Sequence, residues 1–113
     1  MITDETLYLI ADKLPSLTDL DMFGCKKVTY KGITKIANRF GSQLTKINYR
    51  SCENCGSLAL AAIVKNCKKM KVLCVNTTGI SVVPEDIGKE LPELISLDFG
   101  SNKIRKIPIK CLF

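Results

Sequence analysis

The chain has 113 residues, of which 46% are hydrophobic and 25% are charged; this balance is typical of one folded domain and argues against disorder. No apolar run approaches the roughly 18 residues of a membrane-spanning helix, and the acidic start lacks the basic and apolar regions of a signal peptide. Because the sequence has no histidine, catalytic triads and histidine metal sites are excluded. We therefore expect no enzyme, no cofactor, no metal and no membrane partner.

An amphipathic helix followed by a short strand is the first predicted pair of elements. Leu7, Ile10, Ala11 and Leu14 follow the i, i+3, i+4, i+7 spacing of a helix with one apolar face. Residues 17–25 then read apolar-x-x-apolar-x-apolar-x-x-Cys. Their alternation of polar and apolar residues predicts a strand that buries every second side chain.

This strand pattern recurs three more times along the chain. Further segments begin at Leu44, Met70 and Leu94, so that successive segments are offset by 27, 26 and 24 residues. The helical pattern of residues 2–14 recurs in residues 28–40 at a constant offset of 26. The units are a leading half, 1–16, and four strand-bearing repeats, 17–43, 44–69, 70–93 and 94–113. Since one unit cannot bury its apolar face alone, we expect the strands to stack in parallel with the helices on the other side.

The ninth position of each strand segment holds a small polar or thiol side chain. The residues at this position are Cys25, Cys52, Thr78 and Asn102. The chain must turn out of the strand here, so these side chains are expected to hydrogen-bond the exposed backbone of the turn. We call this set the turn column.

Two versions of the repeat occupy the two parts of the chain. The first is carried by residues 1–69 and reads Leu17-x-x-Leu20-x-Met22-x-x-Cys25-x-x-Val28-Thr29-x-x-Gly32-Ile33-x-x-Ile36-Ala37. It resembles the cysteine-containing leucine-rich repeats of F-box substrate receptors of ubiquitin ligases. Residues 70–113 resemble shorter, typical leucine-rich repeats, with the patterns Ile80-x-x-Val83-Pro84-x-x-Ile87 and Leu94-x-x-Leu97-x-Phe99-x-x-Asn102-x-Ile104-x-x-Ile107-Pro108. The resemblance implies an α/β solenoid with a concave parallel sheet, convex helices and a role in protein–protein recognition.

The two ends of the chain carry no recognisable polar cap. The sequence starts with a helix that lacks its strand and stops soon after its last strand pattern. Terminal repeats of a solenoid normally need a polar cap. We therefore expect a fragment of a longer solenoid; the alternative is that neighbouring chains cover the uncapped ends by self-association.

The outward residues of the four strands predict a binding surface of aligned columns. The first column is Asp19, Lys46, Val72 and Ser96; the second is Asp21, Asn48, Cys74 and Asp98; the third is Phe23, Arg50, Asn76 and Gly100. We call these twelve residues the strand face. Exposed aromatic and arginine side chains are enriched at binding hot spots, which favours Phe23 and Arg50. Phe23 has a second interpretation, in which it only covers one end of the sheet.

Positive charge is concentrated in the middle of the chain. Residues 26–71 contain one acidic residue, Glu53, and eleven basic ones: Lys26, Lys27, Lys31, Lys35, Arg39, Lys46, Arg50, Lys65, Lys68, Lys69 and Lys71. Such a block can attract an acidic protein. Aromatic residues do not interleave with it as a base-stacking platform requires, so nucleic acid is not favoured. The alternative is a solvated convex helix face.

Six cysteines raise the question of disulfides or zinc. Cys52 and Cys55 form a C-x-x-C motif, for which Cys67 and Cys74 are the available further ligands. The repeat register instead places Cys52 in the turn column and Cys67 on the apolar face of a helix, which argues against zinc. Cys74 lies at an exposed strand position and is the best candidate for a reactive thiol; the alternative is an inert cysteine.

These patterns favour a protein-interaction module that binds a partner on the concave strand face, as a substrate-recognition or adaptor domain would. The alternative is a small structural subunit or assembly factor that docks through its helices and open ends. Buried reduced cysteines and the absence of a signal peptide predict a cytoplasmic or nuclear protein.

Overall fold

Short strands alternate with helices along the chain, as the repeated sequence pattern predicts. The structure is a computed structural model, and it describes residues 1–102 and 104. The elements, in chain order, are α1 (Asp4–Lys13), β1 (Asp19–Asp21), α2 (Tyr30–Phe40), β2 (Lys46–Asn48), α3 (Gly56–Asn66), β3 (Val72–Cys74), α4 (Ile87–Glu90) and β4 (Ser96–Asp98). The last predicted pattern, which ends at Ile107-Pro108, lies outside the described residues, as does Cys111.

The four strands form one parallel sheet in the order β1-β2-β3-β4. The register pairs residues at equivalent positions of the repeat, so that Leu20 lies beside Ile47, Ile47 beside Leu73, and Leu73 beside Leu97. Ile47 and Leu73 are buried, while Leu20 and Leu97, on the two outer strands, are partly buried. The fold is therefore an α/β structure in which a four-stranded parallel sheet alternates with helices.

An apolar cluster of the described residues joins the sheet to the helices. On α2, the buried residues Ile33, Ile36, Ala37 and Phe40 lie three and four positions apart and so form one apolar stripe. Burying a side chain of the size of Ile or Phe stabilises the fold by roughly 1.5–3 kcal/mol. Each helix contacts the next one along the chain, α1 with α2, α2 with α3 and α3 with α4. The helices thus follow the same spatial order as the strands.

One backbone conformation recurs where the chain leaves each strand region. The residue before the turn column is in the left-handed region in all four units, with φ of 65° at Gly24, 61° at Ser51, 58° at Thr77 and 55° at Ser101. Side chains with a Cβ atom rarely adopt this conformation. Its recurrence at equivalent positions means that each strand ends in the same sharp turn.

Polar side chains of one unit also cap the backbone of the next. The Asp4 carboxylate of α1 accepts hydrogen bonds from Thr29 N (2.9 Å), Gly32 N (3.1 Å) and Thr29 Oγ1 (2.6 Å). Thr29 is the N-cap residue of α2, so Asp4 satisfies backbone donors at the start of the neighbouring helix. A Cβ atom on Gly32 would lie 2.5 Å from Asp4 Oδ1. A glycine at this position therefore lets the carboxylate approach the backbone.

Replacing Asp4 with alanine is expected to lower the free energy of unfolding by about 1–2 kcal/mol, because the backbone donors of Thr29 and Gly32, at the start of α2, lose their acceptor. Chemical denaturation would measure the change. Glu5→Ala is the matched control, since Glu5 is exposed and also lies in the first turn of α1; it should change stability by less than about 0.5 kcal/mol. Equal effects of the two substitutions would contradict the capping role.

Two glycines with positive φ allow the effect of close packing on stability to be distinguished from the effect of backbone strain. Gly79 has φ +80°, and a Cβ atom there would lie 2.7 Å from the Glu53 carbonyl oxygen; Gly24 has φ +65° and nothing within 4 Å of such an atom. Gly24→Ala should cost about 1 kcal/mol of unfolding free energy, from strain alone. Gly79→Ala should cost about 2–4 kcal/mol, because strain and overlap add. Indistinguishable thermal stabilities of the two variants would show that the approach of Glu53 is unimportant.

Candidate functional site

The strand face is assembled as the repeat register requires. Its first two columns lie within the strands: Asp19 pairs with Lys46, Lys46 with Val72 and Val72 with Ser96, and the second column aligns in the same way. The strands end before the third column, at Asp21, Asn48, Cys74 and Asp98. The structure therefore places eight of the twelve residues in strands and four just beyond them.

Backbone hydrogen bonds carry the ladder beyond the strand ends to the third column. The Arg50 carbonyl oxygen accepts from Gly24 N at 2.9 Å, and the Asn76 carbonyl oxygen accepts from Ser51 N at 3.1 Å. The Gly100 carbonyl oxygen likewise accepts from Thr77 N at 3.1 Å. The third column is thus held in line with the other two although it lies outside the regular strands.

Phe23 and Arg50 form the most distinctive pair of the strand face. The Phe23 side chain is 66% exposed, and the Arg50 guanidinium carbon lies 5.7 Å from the centre of its ring. This distance is within the range of a cation–π contact. Phe23 follows β1, which has only one neighbouring strand in the sheet of described residues. The aromatic ring therefore stands at the border of the sheet, in solvent, with a positive charge over it.

The first two strands of the strand face carry opposite charges. Asp19 and Asp21 lie on β1, Lys46 lies on β2 and Arg50 lies two residues beyond its end. Within the described part of the chain, no ion pair joins these acidic residues to these basic ones, and Asp19, Asp21, Lys46 and Arg50 are exposed. These four charged groups are therefore free to interact with a charged partner.

Three side chains of the second column form hydrogen bonds with residues of the third column. Asn48 Oδ1 accepts from Arg50 N and Asp98 Oδ1 accepts from Gly100 N, both at 3.1 Å. Cys74 Sγ donates to Asn76 Oδ1 at 3.2 Å. These bonds between residues i and i+2 orient the middle column along the surface. Cys74, the predicted candidate for a reactive thiol, is half-buried and holds this hydrogen bond.

Asn102 and Thr78 of the turn column make the hydrogen bonds that the sequence predicts for them. Asn102 Nδ2 donates to the carbonyl oxygens of Phe99 at 2.8 Å and Val75 at 3.0 Å, and its Oδ1 accepts from Thr78 N and Ile80 N. Thr78 Oγ1 donates to the Val75 oxygen at 2.7 Å. The side chains of this column therefore tie neighbouring turns together in the second half of the chain.

Thiols occupy the equivalent place in the first half. Cys25 Sγ donates to the Phe23 oxygen at 3.7 Å. Cys55, which follows the column residue Cys52 by three positions, donates from its Sγ to the Val28 oxygen at 3.7 Å. Cys52 and Cys67 are fully buried, as the repeat register predicts. Among residues 1–102 and 104, no group of three or more cysteine or acidic side chains could hold a metal ion. The described cysteines are all free thiols.

The sequence patterns do not single out Tyr49, which follows β2 and carries a buried hydroxyl. Tyr49 is 0% exposed, and its hydroxyl has no hydrogen-bond partner among the described residues. Burial raises the pKa of the Tyr49 hydroxyl well above its ordinary value, and the nearby Cys55 and Cys52 thiols add to the effect. The alternation of apolar and polar residues predicts that the side chain of residue 49 points inward. It cannot predict whether a hydroxyl on that side chain finds a hydrogen-bond partner.

The basic block is divided among different surfaces by the fold. Lys46 and Arg50 belong to the strand face, whereas Lys31 and Lys35 of α2 line a shallow groove against Tyr8 of α1. Arg39 has a structural role, because its guanidinium donates to the Ala11 oxygen at 3.2 Å and the Leu14 oxygen at 3.1 Å, in the last turn of α1 and just after it. The predicted positive block is thus not one continuous patch.

The chain matches no protein-family model and no curated protein sequence. In the part of the chain that the structure describes, no helix has the length and apolar character needed to cross a membrane.

Tyr49→Phe is expected to stabilise the protein by about 1 kcal/mol, because it removes a buried hydroxyl without a partner and keeps the ring. Urea denaturation at neutral pH would measure the change. Tyr30→Phe is the matched control, since Tyr30 is 38% exposed and its hydroxyl can bind water; its effect should be close to zero. A loss of stability in Tyr49→Phe would mean that the hydroxyl has a partner in solution.

Proposed function

We propose that this chain is a leucine-rich repeat module that recognises a partner protein on its strand face, with the sheet on the concave side of a solenoid and the helices on the convex side. The repeated sequence pattern and the parallel register of equivalent residues support the solenoid. An absence of catalytic chemistry in the sequence pattern supports recognition over an enzymatic role. We further propose a cytoplasmic or nuclear location, in keeping with the free thiols of the described cysteines.

The observation that carries the proposal is the exposed Phe23–Arg50 pair beside unpaired charges. Phe23 offers a large apolar surface and Arg50 offers several donors, and both types are enriched at the energetic centres of interfaces. Lys46 extends the positive charge along β2, next to the acidic residues of β1. A partner segment with an aromatic or aliphatic anchor and an acidic side chain facing β2 fits this surface.

A second candidate function is that of a structural subunit that docks through its helices. The observation that favours it is a set of exposed apolar side chains in and beside α1, with Leu9 59%, Leu14 40% and Ile2 39% exposed. Scattered apolar side chains are normal on protein surfaces, so this set supports the second function less strongly than the strand face supports the first. A role as a ubiquitin-ligase adaptor is a narrower form of the first proposal and rests on the sequence resemblance.

Reversing the charges of Lys46 on β2 and of Arg50 just beyond it should strongly reduce partner capture while the fold remains. In Lys46→Glu/Arg50→Glu, an acidic partner loses its attraction and Phe23 loses its cation, so that capture should fall by about tenfold or more. Affinity capture from a lysate of the source cells, quantified by mass spectrometry, would measure this. Circular dichroism should show unchanged secondary structure.

The matched control is Lys31→Glu/Lys35→Glu, which makes the same change of charge on the exposed side of α2. Capture should persist in this variant if the strand face binds the partner. Equal capture by the wild type and the β2 variant would refute the proposal. Loss of capture only in the α2 variant would instead support docking through the helices.

A further inference from the structure

Three thiols converge at the first two turns of the chain. Cys25 and Cys52 hold equivalent positions of adjacent units, and the bond from Gly24 N to the Arg50 oxygen, 2.9 Å long, continues the ladder up to them. Neighbouring rungs of a parallel ladder lie roughly 4.8 Å apart. This spacing falls within the roughly 4.4–6.8 Å between Cα atoms that a disulfide requires.

Cys55 is the third thiol, and its geometry is different. Cys55 N donates to the Cys52 oxygen at 3.2 Å, so that a tight turn brings the two residues together. The Cys55 sulfur is buried and already donates to the Val28 oxygen. Cys52 therefore has one thiol neighbour within its own turn and another on the adjacent turn.

Access and reactivity are divided between Cys25 and Cys52. Cys25 is partly exposed, whereas Cys52 is 0% exposed. Contact with the Cys55 thiol lowers the pKa of Cys52; burial opposes this shift, and contact with Cys25 adds to it. The pKa of Cys25 is raised, chiefly by burial and by the neighbouring Cys52. Cys25 is thus the thiol that an oxidant can reach, and Cys52 is the better nucleophile behind it.

We propose that Cys25 and Cys52 form an oxidation site, at which a small disulfide oxidant of the glutathione type converts the two thiols into a disulfide between adjacent turns. The Cys25 thiolate attacks one sulfur of the oxidant, forms a mixed disulfide and releases one thiolate. The Cys52 thiolate then attacks the Cys25 sulfur and releases the second thiolate. The two released thiolates take up the two cysteine protons, so one disulfide is formed while the oxidant is reduced to two thiols.

The cross-turn disulfide differs from one between Cys52 and Cys55 in its consequence. A bond from Cys25 to Cys52 closes a loop that contains all of α2 and β2, and it therefore restricts the unfolded chain substantially. A bond between Cys52 and Cys55 would lie inside one turn and would constrain little beyond it. Formation of the cross-turn disulfide should raise the melting temperature by on the order of 10 °C.

The test is oxidation of the dilute full chain with glutathione disulfide, followed by trypsin digestion without reductant. Cleavage after lysine and arginine places Cys25 in peptide 14–26 and both Cys52 and Cys55 in peptide 51–65. The expected product joins these two peptides, and fragmentation of the joined pair should place the bond on Cys52. Peptide 51–65 alone, lacking two hydrogen atoms, would report the local disulfide and would overturn the proposal, as would a bond from Cys25 to Cys55.

Substitutions of single cysteines test whether the oxidation involves Cys25, and they do not require a change at the fully buried Cys52. Cys25→Ser should abolish the joined peptides and the rise in melting temperature. Cys74→Ser is the matched control, because Cys74 is also half-buried; it should leave both effects unchanged. Retention of the thermal shift in Cys25→Ser, or full retention of free thiols in the oxidised wild type, would also overturn the proposal.

Discussion

The pairing of equivalent residues in adjacent parallel strands is the constraint from which the other features follow. Leu20, Ile47, Leu73 and Leu97 share one row of the sheet and face the helices. Because side chains alternate along a strand, a slip of one residue would turn an adjacent side chain such as Lys46 into the core. An unpaired charge in that environment costs several kcal/mol. The apolar row therefore sets the register, and the register places the helices, the turns and the strand face.

The same fold closes its turns with two kinds of chemistry. In the second half, Asn102 makes five of the described hydrogen bonds to backbone groups near it, and Thr78 adds another. In the first half, the equivalent residues are Cys25 and Cys52, whose thiols are weak donors and tolerate burial. At the turns of Thr78 and Asn102, side-chain hydrogen bonds satisfy the backbone groups. The turns of Cys25 and Cys52 depend more on packing, and their thiols can still react.

Folding distributes the basic residues of one sequence segment over different surfaces. Residues 26–71 carry a single basic block in the sequence. In the folded chain, Lys46 and Arg50 meet Phe23 on the strand face, Lys31 and Lys35 lie on α2, and Arg39 donates to carbonyl oxygens at the end of α1. The electrostatic character of each surface depends on which few charges it collects. Net charge along the chain is a poor guide to a binding surface for that reason.

The sequence by itself determined the order of strands and helices, the residues that pair in the sheet and the residues of the turn column. It could do so because periods of two and of three to four residues report directly on which side chains are buried, and the repeat aligns them. Only the tertiary structure decided how the units meet: the cap that Asp4 provides for α2, the lack of a partner for the buried Tyr49 hydroxyl among the described residues, and the approach of Cys55 to Cys25. These contacts depend on side-chain direction and on distances between segments about 25 residues apart, and a pattern within one unit contains neither.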